Sequence, residues 1–182
     1  MCHAAALVSL WRPRREEFDE VNVGGLEAVL EACRARGTPR VVYTSSFLAL
    51  PPADLSRPLA ANDYQRTKVR ALEVARHAAA AGFPIVILCP GVVYGPGPAT
   101  EGNLVGRLIR DHLAGRLPGI VGADLPWSYA CADDVADAHV AALDRGVAGA
   151  EYPLGGENAP QMSVFEIVRA ATGVRAVLDA LH

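Results

Sequence analysis

Apolar and polar positions along this chain follow two rhythms. Across residues 15–36, Phe18, Val21, Gly25, Val29 and Cys33 recur every three or four positions, the period of one helix face, and Gly37 stands where a left-handed cap would end it. Residues 41–46, VVYTSS, are uncharged and open on two β-branched side chains, which predicts a buried parallel strand. The opening residues 3–8 read as a short apolar strand, 47–61 as a Pro-rich loop, and 84–89, PIVILC, as a second fully buried strand. Asp63 is placed to cap a helix reaching about residue 81. Residues 91–97 read as loop, and 104–113 as an amphipathic helix. Short strands follow at 118–121, 127–131 and 152–154. Asp133 or Asp134 is expected to cap a helix reaching about residue 143, and Ser163, with Glu166 at capping-box spacing, a last helix. Strands alternating with helices predict a parallel sheet covered on both faces. Around residue 100 the elements shorten, which marks the move into a smaller lobe.

Composition narrows the function classes. The 182 residues are 51% hydrophobic and 20% charged, with a formal net charge of −3, so the chain has apolar surface to bury and no basic surplus for nucleic acid. Residues 78–100 carry no charge, but four Gly and four Pro among them break any spanning helix, so no membrane segment is expected. The apolar start precedes its arginines instead of following them, unlike a leader peptide. Cys2, Cys33, Cys89 and Cys131 form no Cys-x-x-Cys pair and no metal spacing with the histidines, which suits free thiols in a soluble, cytoplasmic protein.

The strongest chemical signal is Tyr64-Gln-Arg-Thr-Lys68. Positions i and i+4 share a helix face, so a phenol and an ammonium would point at one spot. A phenol titrates near 10, and a cation beside it favours phenolate, as proton transfer near neutrality requires. A surface aromatic–cation pair would give the same letters, yet Lys68 is the only lysine beside sixteen arginines. Thr44-Ser45-Ser46 ends a buried strand, where parallel sheets meet their ligands, eighteen residues before Tyr64. A Ser/Thr turn is the plainer reading of that triplet alone. Asn22 interrupts the apolar rhythm of the first helix; its amide either satisfies backbone or holds a water by the site. Pro90-Gly-Val-Val-Tyr-Gly-Pro96 follows a buried strand, as a ligand-side loop would.

In this order the segments HAAALVSLW, VNVGGLEAVLEACRARG, VVYTSS, YQRTK, PGVVYGPG, GNLVGRLIRDHLAGRLPG, WSYACADDVADAHVAAL and YPLGGEN resemble the extended short-chain dehydrogenase/reductases, the NAD-dependent epimerase/dehydratase family. The later ones are most similar to its dihydroflavonol-4-reductase-like, farnesol-dehydrogenase-like subgroup. The resemblance implies an α/β fold: a partial Rossmann-like doubly wound parallel sheet with a small C-terminal substrate lobe. It implies Tyr64 as catalytic acid/base, Lys68 as the residue that lowers the tyrosine pKa and holds the nicotinamide ribose, and Ser46 as the hydroxyl that orients the substrate oxygen. Asn22 would lie near the cofactor, with Ala5 and Ala6 at the strand edge beside it. Thr44 and the backbone of Pro90, Gly91, Val92 and Val93 would supply nicotinamide-side contacts. The implied reaction is NAD- or NADP-dependent hydride transfer at an alcohol or carbonyl carbon of a small apolar or aromatic substrate. Alternatives are a nucleotide-sugar epimerase on the same scaffold, and an inactive truncated product or non-enzymatic binding module. The dehydratase variant is disfavoured, because Ser46 is followed by Phe47-Leu48 instead of Asp-Glu. A homodimer is implied by analogy. No Gly-x-x-Gly-x-x-Gly turn is present. Residues 1–100 are therefore expected to be a dinucleotide-binding domain without its first three strands, crippled in cofactor binding. Residues 101–182 are expected to be an incomplete substrate lobe.

Overall fold

The computed structural model describes residues 1–9, 11–51, 62–98, 102–174 and 179–181. The expected loop at 47–61 lies partly outside these; its described beginning is a short 3-10 turn, Phe47–Ala49.

The chain divides into two compact units, the first built from residues 1–90 and 134–154. Its sheet holds β1 (Cys2–His3), β2 (Val41–Thr44), β3 (Ile85–Pro90) and β7 (Glu151–Leu154) in the order β1-β2-β3-β7, all parallel. Val41 pairs with Ile85 and Thr44 with Leu88. Successive strand side chains point to opposite faces. Val41, Tyr43, Ile85, Ile87 and Cys89 join the core shared with α2 (Gly25–Ala35) and α3 (Asp63–Ala80). Val42, Val86 and Leu88 face Ala142 of α5 (Ala132–Arg145). The sheet thus has helices on both faces, and uncharged runs such as IVILCP are what a strand buried on both faces requires. Of the strand expected at 3–8 only His3 pairs with β2, together with Cys2 before it, so the strand is shorter and begins one residue earlier.

The first helix differs from its periodic pattern. It runs as α1 (Glu16–Asp19), takes a π turn over Glu20–Gly24 and continues as α2. The wider turn rotates the buried face by one position: Phe18, Asn22, Val23, Leu26, Leu30 and Cys33 are buried, while Val21 is exposed. Gly37 adopts φ +60° and ends the helix as expected. Helix α3 is capped by Asn62, whose Oδ1 accepts from Gln65 N at 2.8 Å, and not by Asp63. Asp63 sits in the first turn and pairs with Arg15 at 2.8 Å and Arg66 at 3.3 Å. Arg66 also reaches Asp19 at 2.6 Å, joining α1 to α3.

The second unit comprises residues 91–133 and 155–182. It holds α4 (Leu104–Leu113), α6 (Met162–Thr172), the sheet β4-β6-β8 (Val92–Tyr94, Pro126–Cys131, Asn158–Pro160) and the pair β5-β9 (Gly119–Val121, Asp179–Leu181). Three sequence expectations change here. Residues 92–94, expected as loop, form a strand parallel to β6 because Gly91 lets the chain lie against Ser128, where a Cβ would fall on the carbonyl oxygen. Helix α5 begins at Ala132, so Asp133 and Asp134 lie inside its first turn. Gln161, not Ser163, precedes α6, with no side-chain cap bond. The unit's core is small: Ile120, Ala123 and Phe165, with Leu108, Leu117, Met162 and Val164 packed on it.

Candidate active site

The site forms where β2 ends. Beyond Thr44 the strand stops, and Ser45 N donates to Leu88 O at 2.7 Å as the last rung toward β3. Ser46 then turns the chain, its Oγ accepting from Leu48 N at 3.2 Å. Helix α3 starts nearby, and Gln65 Nε2 donates to Leu48 O at 3.1 Å. This places the half-buried Tyr64 with its phenol beside the Ser46 hydroxyl.

One turn on, Lys68 points the same way, its Nζ 5.9 Å from the centre of the Tyr64 ring and 5.6 Å from that of Tyr43. Only 3% of Lys68 is exposed. Its ammonium donates to Thr44 O at 3.1 Å, which among the described residues is its only hydrogen-bond acceptor. A lysine has three N–H donors, so two remain for a ligand with adjacent hydroxyls. Burial depresses Lys68 to about 8, with Cys89 acting weakly in the opposite sense. Burial also raises the Tyr64 phenol above its usual value, and the Ser46 hydroxyl opposes it. The resemblance implies a cation that lowers the tyrosine, whereas burial acts on this phenol in the opposite sense. The ammonium lies 5.9 Å from the ring centre and donates to a backbone carbonyl, and desolvation is the largest influence on the phenol.

Asn22, on the π turn, spends its amide on protein partners. Its Oδ1 accepts from Leu7 N at 2.7 Å, and its Nδ2 donates to Leu7 O at 3.2 Å and Thr67 Oγ1 at 3.0 Å. It ties the segment after β1, which includes Ala5 and Ala6, to the residue before Lys68. Ala5 is exposed and Ala6 half-buried. Pro90 closes β3 and is buried; Gly91, Val92 and Val93 belong to the second unit. The structure thus gathers Thr44, Ser46, Tyr64 and Lys68, with Asn22 one hydrogen-bond step away.

Sequence reading did not place Tyr43 or His139 at the site. Tyr43 and Ser45 bring buried hydroxyls beside Cys89 and Lys68, off hydrogen-bond geometry with one another. His139 of α5 lies with Nε2 2.7 Å from Thr44 Oγ1. A histidine 95 residues away gives no periodic signal of that contact.

A doubly covered parallel sheet with polar side chains gathered beyond a strand's carboxyl end defines a Rossmann-like α/β protein. The chain belongs to the NAD dependent epimerase/dehydratase family, whose family model matches residues 1–155. It is 31% identical over 181 residues to sterol demethylase protein B of Methylococcus capsulatus, an alignment covering 94% of this chain and 54% of that protein. It is also 31% identical over 191 residues to a Synechocystis protein provisionally named dihydroflavonol 4-reductase, covering 96% and 54%. The crystal structure of gox2253 superposes with a TM-score of 0.84 at 31% identity, covering 99% of this chain and 57% of that one. The chain spans about half the length of the curated relatives it matches. Among the described residues no helix is long and apolar enough to cross a membrane.

Proposed function

We propose that this chain carries the proton-transfer half of an NAD(P)-dependent oxidoreductase site acting at the alcohol or carbonyl carbon of a small apolar or aromatic substrate. One observation carries the reading: a phenol beside a serine hydroxyl, with a buried ammonium one helical turn away that keeps two donors unspent among the described residues. A nicotinamide ribose offers the adjacent hydroxyls that suit those donors, so Lys68 would hold it, with Thr44 fixing the ammonium. When bound, the nicotinamide supplies or accepts hydride.

The remaining steps fall to the chain's own groups. Ser46 orients the substrate oxygen toward Tyr64. The phenol, kept neutral by burial, donates its proton to a carbonyl oxygen that gains charge as hydride arrives at carbon. The alcohol-to-carbonyl direction needs the phenolate and is favoured by raised pH. Asn22 contributes by position, holding Leu7 and Thr67 in place around the two catalytic side chains. The apolar or aromatic substrate class is carried over from the resemblance to the dihydroflavonol-4-reductase-like subgroup.

The test is titration of the chain with NADH, NADPH and reduced nicotinamide mononucleotide, together with carbonyl-dependent oxidation of each. Tyr64→Phe is expected to abolish turnover with binding kept, and Lys68→Met to weaken binding itself. Undiminished turnover in Tyr64→Phe would end the assignment. The family description supports a second reading, epimerisation of a nucleotide sugar. It predicts product from a UDP-hexose with no net change in the nicotinamide, which the same assay resolves.

A further inference from the structure

We infer that His139 is a positioning residue for Lys68, acting through Thr44: one histidine on α5 holds the strand end whose carbonyl holds the ammonium. The inference rests on the role proposed for Lys68.

The hydrogen-bond directions are determined by chemistry. His139 Nδ1 lies 2.7 Å from Val135 O. A carbonyl only accepts, so Nδ1 carries a proton, and in a singly protonated ring Nε2 is then the acceptor. Nε2 lies 2.7 Å from Thr44 Oγ1, so the threonine hydroxyl donates to it. Both ring nitrogens are thereby committed, which fixes the tautomer and the ring plane.

Thr44 is the last residue of β2. The peptide joining it to Ser45 has its N–H on Leu88 O, on the β3 side. In a trans peptide the C=O points the opposite way, toward the side of β1. Strand β1 ends at His3, opposite Tyr43, and supplies no ladder partner for Thr44 O. Lys68 Nζ takes that oxygen at 3.1 Å. A strand end lacking a rung on one side is free to twist, and a β-branched residue transmits its side-chain setting to its backbone. His139 removes that freedom. The contact also joins the two faces of the first unit, since α5 packs on one and Lys68 comes from α3 on the other.

The experiment uses the ligand-free chain. Because Lys68 is the only lysine, uniform labelling of lysine with 13C at Cε gives one resonance, whose shift against pH reports the Lys68 titration. The groups facing it are His3 from β1, Tyr43 from β2, Tyr64 from α3 itself and Cys89 from β3, and none is altered in the variants. Thr44→Val is near-isosteric and removes only the hydroxyl; His139→Leu removes the acceptor; His139→Gln keeps an acceptor at a similar reach. The native midpoint is expected near 8. Thr44→Val and His139→Leu should each lower it by roughly half a pH unit, because an ammonium without a fixed acceptor is less favoured. The double variant should move no further, and His139→Gln should recover part of the shift. A purely structural histidine would lower Tm and leave the midpoint in place. Midpoints within about 0.1 unit of native in Thr44→Val would overturn the inference, even if His139→Leu fails to fold. Failure of the chain to bind any nicotinamide would count against the proposed function and leave this titration unaffected, so the two are separable.

Discussion

The two units of this chain stabilise themselves by different means. In the first, a parallel sheet is sealed on both faces, and Val41, Val42, Ile85, Val86 and Ile87 have no exposed surface. In the second, the strands are mostly three residues long, the core is a small cluster around Phe165, and Val121 and Leu125 stand exposed. The first unit can therefore carry a buried, desolvated cation without losing its shape. The second buries less apolar surface behind each strand.

The comparison can be broken most directly in the cores. Ile87→Ala should cost roughly 3–5 kcal/mol in urea denaturation, because sheet and helices close round that side chain and cannot collapse into the cavity. Ile120→Ala should cost roughly 1–2 kcal/mol, since the smaller cluster can relax. Equal costs would mean that the units do not differ in packing as described. Next in size, Gly91→Ala should cost about 2–3 kcal/mol by driving a methyl onto the Ser128 carbonyl. Hydrogen exchange should show the loss along β4 and β6 with β2 and β3 still protected; equal loss in all four would join the units into one cooperative block.

Lys68→Met sharpens the contrast through charge. A lysine with a folded pKa of about 8, below its unfolded 10.5, binds fewer protons when folded than when unfolded between those values. Its penalty is complete below pH 8 and is relieved as pH rises toward 10.5. Lys68→Met should thus stabilise the chain at pH 7 by on the order of 1–3 kcal/mol, with the gain fading as pH passes from 8 to 10.5. A destabilised variant at pH 7 would show that the ammonium's contacts outweigh its desolvation. Smallest, Asn62→Ala should cost about 1 kcal/mol by removing the cap of α3, with Asp63→Ala costing less. Equal costs would move the cap back to the aspartate.

Much of this was legible from residue order because the responsible interactions are local or periodic. The runs at 41–44 and 85–90 had no alternative to burial, and the i, i+4 spacing of Tyr64 and Lys68 determines a shared face on any helix. The departures have local causes of a kind that spacing does not encode. One extra residue in the π turn moved the buried face from Val21 to Asn22 and Val23. Adjacent Asn62 and Asp63 are both good caps, and the nearby arginines took Asp63 for ion pairs. Strand β4 exists because Gly91 permits an approach to Ser128 that its own segment does not reveal.

Sequence alone determined the doubly covered parallel sheet and the one-turn separation of phenol from ammonium, because both follow from fixed backbone periods. Tertiary structure alone decided how those two groups behave. Burial, not proximity, governs the Tyr64 phenol and draws Lys68 down to about 8. The Thr44 carbonyl and His139, drawn from strand and helix far apart in the chain, decide where the ammonium rests. Desolvation and long-range hydrogen bonds depend on what surrounds a group in space, and no spacing along the chain contains that information.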